Sequence, residues 1–410
     1  MNRKSPESGN NPDGAFLLAF RGFYWVFLMP EKGGSNMKYG RNDICWCGSG
    51  RKFKKCHLDR EKQEPVKHWE VGAQFRKDFS AKVCSAPAAM QGECSEQIIR
   101  AHTVPRAGSL AKIAEKGHVL GFVFSLENMI KNNGVLQPQL VGINNASTFT
   151  GFCSNHDNAL FSSVEKHLFT GSQEQCFLLA YRALARESYT KLAASVSAEN
   201  HSNLDQGRSI SEQMRIQAIS GLYGAAAGVG VEDNQHHKAR FDAILTSQDF
   251  SSVRSYIITF DEPPPIMCSG AFSPETDSAG KQLQNLSDYA TIPHTISVTS
   301  FYGGALGHVV FTWMPEDDPV CMPYIQSLAC IPDANLASTL VRIFFETFEN
   351  IHISPSWWRS LPAEQQKVLI GRMTGSVMPE FMQDVLKLKA GECVVPPWAV
   401  QERKWVGIAA

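Results

Sequence analysis

The chain has no excess of charge. Its 39 lysines and arginines meet 40 aspartates and glutamates, for a net charge of −1. That balance excludes global attraction to nucleic acid or to an anionic membrane, so any such contact has to be local. A membrane span is also lacking. The most apolar stretch, residues 15–30 (AFLLAFRGFYWVFLMP), is shorter than the roughly 20 residues a bilayer requires and carries Arg21 near its middle. It has no small-residue cleavage site, which argues against a signal peptide. There is no internal repeat and no low-complexity block. What the chain does have is cysteine. Eleven cysteines are an odd number. Most of them fall in two clusters beside histidines, and Cys176, Cys268, Cys321, Cys330 and Cys393 are scattered. This usage fits a reducing, cytoplasmic setting with bound metal better than a disulfide framework. A hydrophobic content of 43% over 410 residues is ample for the cores of two or three domains.

The first cluster lies in the run Gly40-Arg-Asn-Asp-Ile-Cys-Trp-Cys-Gly-Ser-Gly-Arg-Lys-Phe-Lys-Lys-Cys-His57. Cys45, Cys47, Cys56 and His57 make up a full tetrahedral Cys₃His set for Zn²⁺. Gly48 and Gly50 allow a tight turn after the first pair, which could aim backbone N–H groups at the sulfurs. Arg51, Lys52, Lys54 and Lys55 offset the charge of three metal-bound thiolates. So short a piece cannot build a core, so its fold should depend on the metal.

Residues 41–58 resemble the SEC-C motif, a small zinc-binding module known from the tail of the SecA preprotein translocase and from many otherwise unrelated bacterial proteins. The resemblance rests on the Arg41-Asn42-Asp43 lead-in, the C-x-C pair, the Gly-Ser-Gly turn, Phe53 and the terminal Cys-His. The family usually has prolines where this chain has Ile44 and Trp46, neither of them a ligand. The resemblance implies a structural zinc and a protein partner docked through the knuckle, and more distantly a link to protein export.

A charged connector, residues 59–65, leads to a second cluster. Its residues are Cys84, Cys94 and His102, followed by Asn144-Asn145 and then Cys153-Ser-Asn-His156-Asp157-Asn158. Over 84–161 this order resembles the HNH-type ββα-metal nucleases. The resemblance implies Cys84, Cys94, Cys153 and His156 as ligands of a second structural zinc. It implies His102 as general base, Asn145 as its orienting group, and Asp157 or Asn158 as the last catalytic residue. Mg²⁺ or another divalent ion would then act on DNA. The chain departs from the pattern at two points. Ala101 stands where an acidic or histidine residue commonly precedes the catalytic histidine, and nine residues separate Cys94 from Cys84 where two are usual. Two other readings compete. The cysteines could be ordinary buried thiols with His102 a core histidine, or His102 could itself be the fourth zinc ligand with no catalyst left. His118 reads as a turn histidine before a strand, and His236-His237 as a solvated helix face.

The remainder reads as alternating helix and strand patterns. Helices are expected at 165–191, from the capping box Ser209-x-x-Glu212 onward, at 237–245, 335–349 and 363–373. The glycines between 221 and 230 leave the end of the second helix open. Strands are expected at 253–260, 266–272, 295–301 and 308–313, the last two joined by a Gly303-to-Gly307 hairpin. The tail around Trp398 should be ordered by its aromatic residues. The expected fold is α+β: an N-terminal zinc knuckle (37–60), a small Cys/His-rich α+β domain (70–175), and a larger α+β region (176–410) with a mixed or antiparallel sheet and no recognisable catalytic constellation.

Residues 1–36 are expected to be a non-native or disordered extension. Lys32-Gly33-Gly34 can be encoded as AAA-GGA-GGU, a ribosome-binding sequence at a suitable distance before Met37. Mass spectrometry of the native protein should therefore find an N-terminus at Met37. A peptide from Phe16–Met29 would overturn this.

Overall fold

The computed structural model describes residues 39–123, 131–133, 135–376 and 393–408. The apolar stretch 15–30 and Met37 lie outside these residues. The fold is α+β, and every strand pairing in it is antiparallel. The knuckle leads into helix α1 (His68–Asp78). Strands β1 (Ile98–His102), β2 (His118–Gly121), β3 (Gln139–Gly142) and β4 (Thr148–Cys153) follow, then a short helix α2 (Ser154–Leu160). Two long helices come next, α3 (Gln173–His201) and α4 (Ile210–Ser247). The rest comprises β5 (Arg254–Phe260), β6 (Ile266–Phe272), β7 (Ile296–Gly303), β8 (Leu306–Trp313), α5 (Asp318–Ala329), α6 (Asp333–Thr347), β9 (Ile351–Ile353), α7 (Pro355–Ser360), α8 (Ala363–Ser376) and β10 (Val400–Val406).

Eight strands form one sheet in the order β10-β5-β8-β7-β6-β9-β2-β3, while β1 and β4 pair separately. The central strands are rich in β-branched and aromatic residues on both faces, and both faces are covered. Tyr256, Ile258, Phe311 and Trp313 join a core with Ile325, Leu340 and Phe344 of α5 and α6. Ile257, Phe301 and Val310, on the opposite side, pack against Cys176 and Leu179 of α3. The hairpin between β7 and β8 turns through Gly304 (φ 61°) and Ala305 (φ 70°), the two left-handed residues that a tight hairpin loop demands. Trp398 packs edge-on against Phe260, and the tail beyond it pairs with β5 as an edge strand.

Several boundaries differ from expectation for local reasons. Helix α3 begins at Gln173, because Gly171 (φ 68°) breaks the chain's direction and Ser172 caps the new helix through the Gln175 N–H (3.2 Å). Two of its arginines are buried, Arg182 and Arg186 being 1% and 2% exposed. The Ser209–Glu212 capping box forms, but α4 does not stop at its glycines; it absorbs the stretch 237–245 as one helix of 38 residues. Each helical glycine costs about 1 kcal/mol relative to alanine. Only Gly230 is tightly packed, since a Cβ there would lie 3.2 Å from the Lys191 side chain, whereas one on Gly224 would make an ordinary 3.8 Å contact with Ala198 and ones on Gly221 and Gly228 would meet nothing within 4 Å. His236 is exposed, but His237 is not the solvated residue expected. It is buried and donates to the Pro293 carbonyl (2.9 Å), because α4 leans on the segment entering β7. Finally, β2 and β3, from the 70–175 stretch, join the sheet of the 176–410 stretch through the three-residue strand β9, which pairs with both β2 and β6.

Two buried histidines make this fold sensitive to acid. Burial holds His201 down at about 4. Burial, reinforced by the charges of Arg186 and His102, holds His352 down at about 3. An unfolded histidine titrates near 6.5. Above that value both states are neutral and pH has no effect through these groups. Below it the unfolded chain binds protons that the folded chain refuses, so stability falls with pH. Between pH 7 and 5 each histidine should remove about 2 kcal/mol. Urea unfolding at the two pH values should show the loss, and His352→Gln should reduce the slope. An unchanged slope in that variant would contradict the assignment.

Candidate metal centres

The first centre is built by a backbone that folds back on itself. Ile44 bridges to Lys52, the Cys45 N–H donates to the Arg51 carbonyl (2.8 Å), and the Phe53 N–H donates to the Asp43 carbonyl (2.8 Å). Between them Gly48 and Gly50 adopt φ of 78° and 70°, where a side chain is disfavoured. The chain then turns at Phe53, whose carbonyl accepts from the N–H groups of Cys56, His57 and Leu58. Cys45 Sγ thereby lies 3.1 Å from His57 Nδ1, and Cys47 Sγ lies 3.5 Å from Cys56 Sγ. All four donor atoms fall within 4.8 Å of one another. A tetrahedral zinc with Zn–S bonds near 2.3 Å has S···S edges of ~3.8 Å. The four donors therefore fit one such ion. The backbone serves the sulfurs as expected, the Cys47 N–H meeting the Cys45 thiol and the Ser49 N–H the Cys47 thiol, and the Ser49 hydroxyl adds contacts to Cys47 Sγ (3.2 Å) and Cys56 Sγ (3.3 Å). Burial pushes the Cys45 thiol up to about 12. It acts the same way on Cys47, but the bonds from Ser49 outweigh it and bring that thiol down to about 7. Arg51, Lys52, Lys54 and Lys55 are all exposed.

His57 is held from behind. Its Nε2 donates to Asp205 Oδ2 at 2.7 Å, which leaves Nδ1 as the lone-pair nitrogen facing the sulfurs. Asp205, fully buried between α3 and α4, also accepts from Arg60 Nε and from Gln217 Nε2. Burial works against the charge on Asp205, yet these bonds hold its carboxyl below the usual range. The Trp46 ring, 4.4 Å from the imidazole, covers His57. Asp205 escaped sequence reasoning. It lies 148 residues from His57 in a polar turn, and nothing local marks it.

The second centre repeats this construction. Cys84 sits in the loop after α1, Cys94 follows a six-residue 3₁₀ helix (Ala88–Glu93), Cys153 ends β4 and caps α2, and His156 lies in the first turn of α2. Cys84 Sγ and Cys153 Sγ each lie 3.3 Å from His156 Nδ1, and the four donors again fall within 4.8 Å. Here too backbone N–H groups point at sulfur: His156 to Cys153 (3.4 Å) and Cys153 to Cys84 (3.5 Å). His156 Nε2 donates to the Met90 carbonyl (3.1 Å), which fixes the same tautomer as in His57. Burial raises the Cys84 thiol. For Cys153 burial is outweighed by the His156 N–H and by Ser95, and its thiol falls to about 6. The converging donors are not scattered thiols. Nor does His102 complete the set: Ile98 of β1 pairs with Cys153, and His102 lies four residues further along, ~13 Å away at strand spacing.

Residues 41–59 match the SEC-C motif. Within it lies the whole first donor set, whereas Asp205 and Arg60 lie outside. The chain is also similar to the protein translocase subunit SecA of Pseudomonas savastanoi pv. phaseolicola and of Pseudomonas syringae pv. syringae. It is 65% identical to each over 32 residues, which is 8% of this chain and 4% of each relative. The chain thus spans a small fraction of the curated relatives it matches. No solved structure matches it. The likeness of 84–161 to HNH-type nucleases gains no support from these comparisons.

The residues singled out for catalysis are engaged elsewhere. His102 Nε2 donates to the Ile143 carbonyl (3.2 Å), and burial lowers the basicity of the ring. Asn145, expected to orient it, accepts instead from Arg100 (2.9 Å). Asp157 faces the buried Arg182 guanidinium at 3.7 Å. Asn158 donates to the Ser154 carbonyl (3.0 Å). Among the described residues, His102 and Asp157 do not converge with other donors into a third metal cluster.

Proposed function

We propose that this is a bacterial, cytoplasmic zinc protein in which both Cys/His centres are structural and the SEC-C knuckle serves as a docking element for a protein partner. The observation that carries this reading is the convergence of Cys45, Cys47, Cys56 and His57 inside a SEC-C match. Zinc would supply the knuckle's fold, because the segment has almost no core beyond Phe53. The exposed surface of the knuckle carries Ile44, 64% exposed, and the basic residues Arg51, Lys52, Lys54 and Lys55. A partner reading this face would combine an apolar contact with acidic groups. Elemental analysis of the purified chain should find two zinc ions per molecule. Cys47→Ser and Cys153→Ser should each lower the count to one, and a metal-free wild type that keeps its fold would refute the reading.

A second reading, a metal-dependent HNH-like endonuclease, draws support from one geometric feature. Strands β1 and β4 pair antiparallel and β4 runs directly into α2, with His102 at the end of β1. On that reading Mg²⁺ or another divalent ion would neutralise the scissile phosphate while His102 accepts a proton from the attacking water. The Asp157–Arg182 contact weighs against it, since a cation already faces that carboxylate. Incubation with plasmid DNA and Mg²⁺, Mn²⁺ or Ni²⁺ should leave the plasmid intact under the first reading. Cleavage that is lost in His102→Ala with zinc retained would establish the second.

A further inference from the structure

The knuckle is not an independent bead on the chain. Hydrogen bonds tie it and its connector to the turn between α3 and α4, one of them from Arg60 Nη2 to Asn203 Oδ1 (3.4 Å). His57 Nε2 and Arg60 Nε both donate to the buried carboxylate of Asp205, and the Gly207 N–H donates to the Arg60 carbonyl (3.0 Å). The approach is close: a Cβ on Gly207 would come within 2.6 Å of the Gln63 carbonyl oxygen and of Pro65. One imidazole therefore faces two ways, toward the thiols through Nδ1 and toward the body through Nε2.

Given zinc at the knuckle, on which this inference rests, we propose that metal binding and docking of the knuckle are a single coupled equilibrium, with Asp205 as a positioning residue for the metal centre. The coupling runs in both directions. Asp205 fixes the tautomer and orientation of His57 and raises its basicity as a ligand. The metal in turn holds the knuckle in the only shape that presents His57 and Arg60 to Asp205. When the metal is lost, the segment has no core to preserve that shape. Asp205 then keeps Gln217 alone, and a carboxylate so poorly paired must reach water, which opens the turn. The knuckle thus acts as a metal-dependent latch on the α3–α4 turn, and its linkage is reciprocal.

The test uses the full chain. Zinc retained against rising chelator is measured for wild type, Asp205→Ala and Asp205→Asn. In Asp205→Ala the zinc that Cys47→Ser abolishes should be lost at 10- to 100-fold lower chelator, in line with other outer-shell partners of metal ligands. The second zinc should be unaffected. Asp205→Asn, which keeps an acceptor for His57, should fall between. Hydrogen exchange gives a readout independent of any Asp205 variant folding: in Cys47→Ser the turn at 202–208 should exchange at least tenfold faster than in wild type, with 84–156 unchanged. Should Asp205→Ala release its zinc at the wild-type chelator concentration, or the turn stay equally protected in Cys47→Ser, the coupling is refuted while the zinc reading stands. A wild type whose zinc content Cys47→Ser does not change would refute the zinc reading itself.

Discussion

Helix α3 buries most of its side chains, and most of the structure is arranged around that constraint. It is 29 residues long, ~43 Å at helical rise, and it has buried side chains on every face. Cys176 and Leu179 meet the large sheet, Phe177 and Tyr181 meet the small Cys/His-rich layer, and Ala198 receives the glycine-rich face of α4. A helix so placed cannot be amphipathic in the usual sense, and its polar residues have to find partners inside. Arg182 does so in part, by lying on the Phe161 ring, 3.8 Å from its centroid, and by donating from Nη2 to Glu165 (2.7 Å), with Nε and Nη1 left without hydrogen-bond partners. Tyr181 does so through Asp242 (2.7 Å). The helix then ends at His201, just before the turn that carries Asp205. One rigid element therefore spans from the neighbourhood of the second centre to the base of the first.

The two centres share a design despite different settings. Each joins sulfur donors to the Nδ1 of a histidine, and each secures the far nitrogen of that ring with an oxygen acceptor. The acceptors differ in a way that matters physically. His156 leans on a neutral carbonyl from its own small layer. His57 leans on an ionised carboxylate from a distant part of the chain, and a charged acceptor polarises the ring more strongly. The second centre is a local staple; the first is a joint between a short metal-dependent segment and the body of the protein.

Between the small layer and the large sheet lies a polar seam rather than an oily one. Asn350 donates to Thr103 (2.7 Å) and to the Ser269 carbonyl (2.8 Å), His352 donates to Asn350 (3.1 Å), and Thr103 bonds Ser147. A network of this kind, in which the buried His352 Nδ1 alone of the ring nitrogens lacks a partner, fixes one relative placement of the two layers, because any slip leaves several more buried groups unpaired at once. The neutral state of His352 belongs to that requirement.

The sequence by itself determined the chemistry that is local. Thirteen consecutive residues contain the whole first donor set, so spacing and donor type were enough to read it. The strand at 266–272, the capping box at Ser209 and the hairpin at Gly304 were legible for the same reason: each depends on neighbours in the chain. The second donor set could be read only as one of several options, since its members are spread over 73 positions, from Cys84 to His156. Only the tertiary structure chose His156 over His102, because strand pairing places one beside the sulfurs and the other far along the same ladder. It alone decided that Asp205 stands behind His57, that Arg182 stands before Asp157, that α4 runs through its glycines, and that β2 and β3 complete a sheet begun more than a hundred residues later. Those outcomes depend on which surfaces meet when long helices bury both faces, and no window of sequence contains that information.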